Sequence, residues 1–96
     1  MDIKVRVYRV DSESKLKAFV SVTADELIVM NGFKLIERTD GKLFLANPTN
    51  KIKNGEYIDV TYFLKKDYHS YVEELAVKEY NRILNNKMDK ANPFTK

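Results

Sequence analysis

The sequence predicts a small α+β domain, in which an antiparallel β-sheet of four to five strands is followed by one C-terminal α-helix. Segments in which apolar and polar side chains alternate follow one another up to Val60, as in strands buried on one face. Apolar residues then recur at helical spacing between Tyr68 and Leu84. At 96 residues the chain is long enough for one domain.

The first two strands are predicted at residues 3–10 and 16–23. Ile3, Val5 and Val7 alternate with polar or basic residues, and the second segment alternates in the same way. The residues between the two segments are aspartate, serine, glutamate and lysine, of which aspartate and serine favour turns by bonding to their own backbone. This pattern predicts an antiparallel hairpin.

The next segment, residues 27–38, allows two interpretations. Asn31-Gly32 between apolar residues is a strong signal for a tight hairpin turn. A turn there would leave strands of only about four residues, at the short end of the usual range. We therefore expect one long strand with a bulge or bend at Gly32, and a hairpin turn remains the alternative.

A turn at residues 39–42 leads to a short strand at residues 43–47. Its continuous apolar run indicates cover on both faces, as in a central strand or a contact between subunits. Pro48 removes a ladder donor and favours the end of the strand, and Gly55 supplies the turn that closes a loop over residues 48–55. A last strand is predicted at residues 57–62.

The helix is predicted to begin at Asp67, because aspartate often caps helix N-termini. Glutamate, lysine and arginine side chains form its polar face, and Asn85-Asn86 is expected to end it. These boundaries divide the chain into a domain at residues 1–84 and a polar, flexible tail at residues 85–96.

Composition limits the location and the partners. No apolar run approaches the roughly 20 residues that span a bilayer, the N-terminus lacks a signal-peptide pattern, and the chain contains no cysteine. These features predict a cytoplasmic protein without disulfides or thiolate metal sites. The net charge is +3, and residues 34–66 carry seven basic and four acidic side chains, which favours an anionic partner.

No pattern in the sequence predicts catalysis. His69 is the only histidine, so neither a metal site nor a catalytic triad has support, and we expect it to be a surface or partly packed helix residue. Gly32, Gly41 and Gly55 stand apart rather than in a phosphate-binding loop. We therefore expect no enzymatic activity, no cofactor, no metal and no small-molecule substrate.

Basic residues give the strongest chemical signal. Two lie on the first strand, two in the predicted loop and two before the helix, and tyrosines lie near them in the sequence. Basic side chains neutralise phosphates and tyrosines can stack on bases, although antiparallel sheets ordinarily carry charge on a solvent face. The candidate nucleic-acid-binding residues are Arg6, Arg9, Lys51, Lys53, Lys65 and Lys66.

Self-association is a further expectation. A domain of this size buries only about 60–65% of its unfolded surface, so pairing with a copy of itself would add stability. Short edge strands of a small open sheet can pair across a two-fold axis. We expect a homodimer whose contact includes the apolar strand residues Leu43, Phe44, Leu45 and Ala46.

The central part of the chain resembles the septation-regulator family, also called stage V sporulation protein G (SpoVG). Gly41, the Leu-Phe-Leu-Ala sequence at residues 43–46, Pro48, and the Asn-Gly-Glu-Tyr sequence before Asp59-Val60 are similar to that family's glycine, LFVAMPS, DGEF and D-I pattern. The order and spacing of the matches extend the resemblance over residues 3–84, with supporting matches at Val5-Arg6, Arg9-Val10, Lys17-Ala18, Ser21 and Glu79-Tyr80.

The resemblance implies a bacterial cytoplasmic homodimer that binds DNA and RNA and acts in septation, sporulation or gene regulation. It also implies nucleic-acid contacts near the start of the helix, here Lys65, Lys66 and His69. The family's Ser-Lys-Arg after the proline reads Thr-Asn-Lys at residues 49–51, and its His-Pro before the helix reads Tyr62-Phe63. The alternative function is therefore a dimeric protein-interaction module in cell division with weak or no nucleic-acid binding.

Overall fold

A four-stranded antiparallel sheet occupies the first half of the chain. The computed structural model describes residues 1–11 and 13–90, with residues 86–90 described by their backbone alone. Each strand pairs with the next one in the sequence, which confirms the first predicted hairpin. The strands are β1 (Ile3–Arg9), β2 (Leu16–Ala24), β3 (Ile28–Glu37) and β4 (Leu43–Ala46).

A two-stranded sheet and one helix follow, and together with the first sheet they confirm the α+β class. The second sheet, the β5–β6 hairpin, consists of β5 (Thr49–Lys51) and β6 (Tyr57–Asp59), and the helix is α1 (Lys66–Lys90). No helix within the described residues is long and apolar enough to cross a membrane.

Asn31 and Gly32 form a bulge inside β3 rather than a turn. The register between β2 and β3 shifts at this point, so that both residues oppose Ser21 alone. Gly32 has a φ of 98°, which side chains rarely adopt, and a Cβ on it would lie 3.2 Å from the Cβ of Pro48. The expected long, bulged strand is confirmed, and the bulge leaves room for Pro48 beside it.

The core lies between one face of the first sheet and α1. Phe33 and Leu35 of β3 are fully buried there. α1 contributes Val72, Ala76 and Tyr80 to the same core, and these residues are four apart and share one helix face. Burial of one large apolar side chain contributes about 1.5–3 kcal/mol. The opposite face of the sheet is turned away from α1, and we call it the open face.

β4 is an edge strand, not the central strand that its apolar sequence allowed. α1 closes this edge at Leu45: the Leu45 N–H donates to Glu73 Oε2 at 2.8 Å, and His69 Nε2 lies 2.9 Å from the Leu45 carbonyl oxygen. Because a carbonyl oxygen only accepts, the His69 Nε2 carries a proton. Another strand therefore finds no free backbone group at Leu45.

The predicted loop at residues 48–55 contains a strand, which is a correction to the sequence-based expectation. Thr49–Lys51 pairs with Tyr57–Asp59, and the strand expected at residues 57–62 is shorter and does not join the first sheet. The Thr-Asn-Lys sequence has no apolar alternation, and pairing by backbone hydrogen bonds needs none. Every residue of both strands is exposed.

α1 begins at Lys66, one residue before the predicted cap. Asp67 lies in the first turn instead, where its carboxylate interacts favourably with the helix dipole. The Lys65 carbonyl oxygen accepts from the N–H groups of Tyr68 at 3.2 Å and of His69 at 3.4 Å. Lys65 therefore takes the flanking position that was expected for Asp67.

α1 continues through Asn85-Asn86 to Lys90, so the predicted end of the helix was wrong. Asparagine costs less than about 0.7 kcal/mol in a helix interior, and no glycine or proline follows before Pro93. Residues 91–96 of the predicted tail, and Ser12 of the predicted first turn, lie outside the described residues.

Candidate nucleic-acid interface

The β5–β6 hairpin presents Lys51 and Lys53 to solvent. Lys51 ends β5 and Lys53 lies in the turn, and both are exposed. Two backbone hydrogen bonds hold the turn: Ile52 N–H donates to the Glu56 carbonyl at 2.8 Å, and Gly55 N–H donates to the Ile52 carbonyl at 2.9 Å. The two lysines therefore lie on an ordered hairpin rather than on a free loop.

Three contacts hold the base of this hairpin in place. Pro48 is buried beside the bulge at Gly32, and its carbonyl accepts from Val60 N–H at 2.9 Å. Asn47 Nδ2 donates to Asp59 Oδ2 at 3.2 Å. The hairpin is thus held at its base while the rest of it buries nothing in the core.

Phe63 fastens the segment before α1 to the core. Its ring stacks on Phe33 with centroids 5.7 Å apart and meets the His69 ring edge-on at 6.1 Å, both favourable aromatic geometries. Lys65 and Lys66 lie two and three residues further along the chain, and both are exposed. Their positions are therefore set by the same core residue, Phe33, that adjoins the β3 bulge.

The hairpin and the segment before α1 are anchored at neighbouring residues of β3. Pro48 anchors the hairpin at Gly32, and Phe63 anchors the helix start at the next residue, Phe33. The first turn of α1 adds the partial positive charge of its free N–H groups, which the carboxylate of Asp67 offsets. The two segments that carry four of the six predicted basic residues are therefore anchored at adjacent residues of β3.

Arg6 and Arg9 are not brought together with these lysines. Three positions apart on a strand, they point to opposite faces of the sheet. Arg6 lines a concavity on the open face, and Arg9 lies 3.8 Å from Asp11. Ile3, at the other end of β1, shares an apolar concavity with Lys65, so Arg9 is roughly 20 Å further along the sheet at about 3.3 Å per residue.

Ion pairing distinguishes five of the six candidate residues, all except Arg9, from half of the other basic side chains that the structure describes. Several basic side chains, those of Lys4, Lys17, Arg38 and Arg82, lie 2.6–3.9 Å from a carboxylate. Hydrogen bonds from Arg82 hold the pKa of Glu79 below its usual range. Among the described residues no ion pair or side-chain hydrogen bond occupies Arg6, Lys51, Lys53, Lys65 or Lys66.

The predicted dimer-contact residues divide between the two faces of β4. Leu45 lies in the core, with Leu43 packed at its margin, and the backbone of Leu45 is occupied by α1. Phe44 and Ala46 are only partly buried and belong to the open face, where Ala46 pairs with Lys34.

Two features escaped the sequence-based reasoning. The first is the joint contact of His69 and Glu73 with Leu45; their four-residue spacing indicates a shared target, but the target lies in a distant segment. The second is the strand register that places Tyr8 beside Phe19 and Phe19 beside Lys34 on the open face. Across the described residues, no cluster of three or more histidine, aspartate or glutamate side chains could hold a metal ion.

Comparison with known proteins places this architecture in a family. The SpoVG family model matches residues 1–82. A protein of Myxococcus xanthus is 41% identical over 80 residues, which cover 83% of this chain and 79% of the relative. A protein of Acetivibrio thermocellus is 37% identical over 79 residues, covering 82% and 83% respectively. Both carry "septation protein SpoVG" in their names. The matched residues include both sheets and most of α1, and the chain belongs to the SpoVG family.

Proposed function

We propose that this protein is a homodimeric, non-enzymatic, nucleic-acid-binding regulator of the bacterial cytoplasm, acting in septation, sporulation or gene regulation. The observation that carries the proposal is the group of four exposed lysines, Lys51, Lys53, Lys65 and Lys66, without ion-pair partners among the described residues. Membership of the SpoVG family and the names of its relatives support the link to septation.

The chemistry of this surface favours phosphate. A lysine that is already paired with a carboxylate has less to gain from a phosphate, whereas an unpaired lysine releases condensed counterions from the nucleic acid when it binds. Contacts of this kind position a protein on the backbone and carry no sequence information. The four lysines therefore supply affinity, and a second copy of the chain would double the basic surface.

Salt dependence tests the proposal directly. The purified protein is titrated against a labelled DNA duplex and a labelled single strand at two salt concentrations. Each neutralised phosphate adds about −0.9 to the slope of log K against log salt on duplex DNA and about −0.7 on a single strand. Steep weakening with salt is the expected result, and absence of binding even at low salt would overturn the proposal in favour of a protein-interaction module.

Substitution of the four lysines by alanine locates the site. The quadruple variant should bind all sequences more weakly, and its duplex slope should fall by up to about 3.6 per protomer. A matched control replaces Lys15, Arg38, Lys42 and Lys78, which carry the same charge and are exposed elsewhere. Equal losses in the two variants would show that net charge alone matters and that the site is wrongly assigned.

Dimerisation is the second part of the proposal. Since Leu45 is occupied within one chain, we place the contact at the side chains of Phe44 and Ala46 on the β4 edge of the open face. Light scattering should report a dimer at micromolar concentration, and Phe44→Asp should convert it to a monomer. A wild-type monomer under these conditions would contradict the dimer, and a dimeric Phe44→Asp variant would contradict its location.

A further inference from the structure

The open face carries a row of side chains that the helix does not cover. Tyr8 of β1 pairs with Phe19 of β2, and Phe19 pairs with Lys34 of β3. Directly paired residues on one sheet face have Cβ atoms about 4.5–5.5 Å apart. Two aromatic rings and a lysine therefore form a continuous row across three neighbouring strands.

The two rings are available for contact. Tyr8 is 53% exposed and Phe19 is 43% exposed, although their neighbours in the sequence, Val7, Ala18 and Val20, are buried on the other face. Phe19 is on the inner strand β2 and Tyr8 is on the edge strand β1. About half of each side chain is therefore accessible to a partner.

A concavity of about 640 Å³ lies beside this row on the open face. Its size falls within the range of small-ligand sites, about 300–1,000 Å³. Its lining is partly apolar and partly hydrogen-bonding, and the hydrogen-bonding groups besides Tyr8 are an arginine, a lysine, two hydroxyls and an amide that the β3 bulge places there, with one carboxylate. The residues concerned are Lys4, Arg6, Ser21, Thr23, Asn31 and Glu26.

The charge of the open face is positive. Glu26 lies 3.1 Å from Lys4 and neutralises it, but Arg6 and Lys34 have no ion pair or side-chain hydrogen bond among the described residues. Stacking rings next to unpaired cations suit a base and its phosphate. Bases inside a duplex are not accessible for stacking on a protein surface, whereas the bases of a single strand are.

We propose that the open face binds single-stranded nucleic acid, with bases stacked on Tyr8 and Phe19 and phosphates contacted by Arg6 and Lys34. This inference rests on the proposed function and extends it. It assigns single-stranded nucleic acid, rather than a duplex, to residues other than the four lysines. β4, the proposed dimer edge, lies two strands from β2, or roughly 10 Å at about 4.8 Å per strand. The aromatic pair therefore lies away from the two proposed contact residues, and Lys34 lies between Phe19 and Ala46.

The test compares single-stranded and duplex binding of the same variants. Labelled oligo(U), oligo(dT) and a blunt duplex of equal length, about 12 nucleotides, are titrated with wild type and with Tyr8→Ala/Phe19→Ala. Affinity for the single strands should fall on the order of ten-fold or more, since two stacking contacts are lost. Affinity for the duplex should stay within about two-fold.

Matched variants separate stacking from folding. Exchanging the two residues, Tyr8→Phe/Phe19→Tyr, keeps both rings and should bind as wild type. Tyr8→Leu/Phe19→Leu keeps an apolar sheet surface without rings and should lose single-strand affinity even if the alanine pair does not fold. Tyr71→Ala removes a ring of similar exposure, 48%, from an acidic part of α1, and should change neither affinity.

An abasic strand with the same number of phosphates gives an independent measurement. Wild type should prefer the base-containing strand, and the leucine pair should bind the two strands alike. The relative affinity for oligo(U) and oligo(dT) then distinguishes RNA from single-stranded DNA as the ligand.

Several results would overturn the inference. Unchanged single-strand affinity in the leucine pair would reject the stacking surface while the four-lysine site still bound duplex. Conversion of the leucine pair from dimer to monomer in light scattering would show that the aromatic row is a contact between copies of the chain. A wild type that binds neither strand form at low salt would reject the proposed function itself.

Discussion

The four-stranded sheet and the β5–β6 hairpin are adjacent in the sequence and both antiparallel, yet the sheet buries apolar side chains and the hairpin exposes them. In the sheet, Phe33 and Leu35 are fully buried, and α1 binds the free edge at Leu45 through Glu73. In the hairpin every strand residue is exposed, including Ile58 at 47%. Strand pairing in the hairpin therefore continues without an apolar core beneath it.

The difference shows that the apolar core and the exposed lysines of the hairpin lie in separate parts of the chain. The sheet and α1 supply the burial that stabilises the fold, about 1.5–3 kcal/mol for each large side chain. The hairpin is anchored only at its base, by Pro48 and Asp59, and presents lysines to solvent. Substitutions in the two regions should accordingly affect different measurements.

The largest expected contrast is between Phe33→Ala and Ile58→Ala. Phe33 has no exposed surface and also supports the Phe63 ring, so its truncation should lower the free energy of unfolding by about 3–5 kcal/mol. Ile58 is half exposed, and its truncation should change the free energy of unfolding by less than about 0.5 kcal/mol. Urea denaturation measures both. Similar losses would mean that the hairpin contributes to the core.

A smaller contrast involves two glycines with positive φ. Gly32→Ala combines a φ of 98° with a 3.2 Å approach to Pro48 and should cost about 1–3 kcal/mol. Gly41→Ala has a φ of 86° but no atom within 4 Å, so only the backbone penalty of about 1 kcal/mol remains. Thermal unfolding compares them, and equal shifts would show that Pro48 does not restrict this position.

The closed edge of β4 gives the next prediction. Glu73→Ala leaves the Leu45 N–H without its acceptor and should cost about 1–2 kcal/mol, because a partly buried donor loses its partner. Amide hydrogen exchange at Leu45 should also accelerate. Glu74→Ala, one residue along the helix and exposed, serves as the control and should stay within about 0.5 kcal/mol. No change in exchange at Leu45 would argue against the hydrogen bond.

The smallest expected effect is a gain in stability at the β2–β3 turn. Glu26 has a φ of 57°, so Glu26→Gly should raise the free energy of unfolding by up to about 1 kcal/mol. The same change removes the exposed ion pair with Lys4, which offsets part of the gain. Lys4→Gln removes that ion pair and leaves the turn unchanged. A glycine variant no more stable than Lys4→Gln would contradict the strain.

Sequence patterns predicted the regular part of the fold well. Alternation predicted β1 and β2. A tight turn at Gly32 would have left unusually short strands, which favoured the bulge that the structure confirms. β5 was missed because the Thr-Asn-Lys sequence has no periodicity. The end of α1 was misplaced because asparagine is a weak stop signal when no glycine or proline follows it closely.

The sequence predicted the candidate site only where its basic residues are close together in the chain. Lys51 and Lys53, and likewise Lys65 and Lys66, are near neighbours in the chain, and the segments that carry the two pairs are anchored at adjacent residues of β3. Arg6 and Arg9 were grouped by proximity, although the period of a strand separates them onto opposite faces. The contact between Glu73 and Leu45 joins residues 28 apart, and no local pattern reports such a contact.

The exposed hairpin also has an evolutionary consequence. Because its turn contributes no side chain to the core, mutations and insertions near Lys53 escape the selection that acts on folding. Descendants of one ancestral protein can change their affinity for a target at this turn while they inherit the same scaffold. An engineer can likewise insert a peptide epitope there and retain the parent's melting temperature.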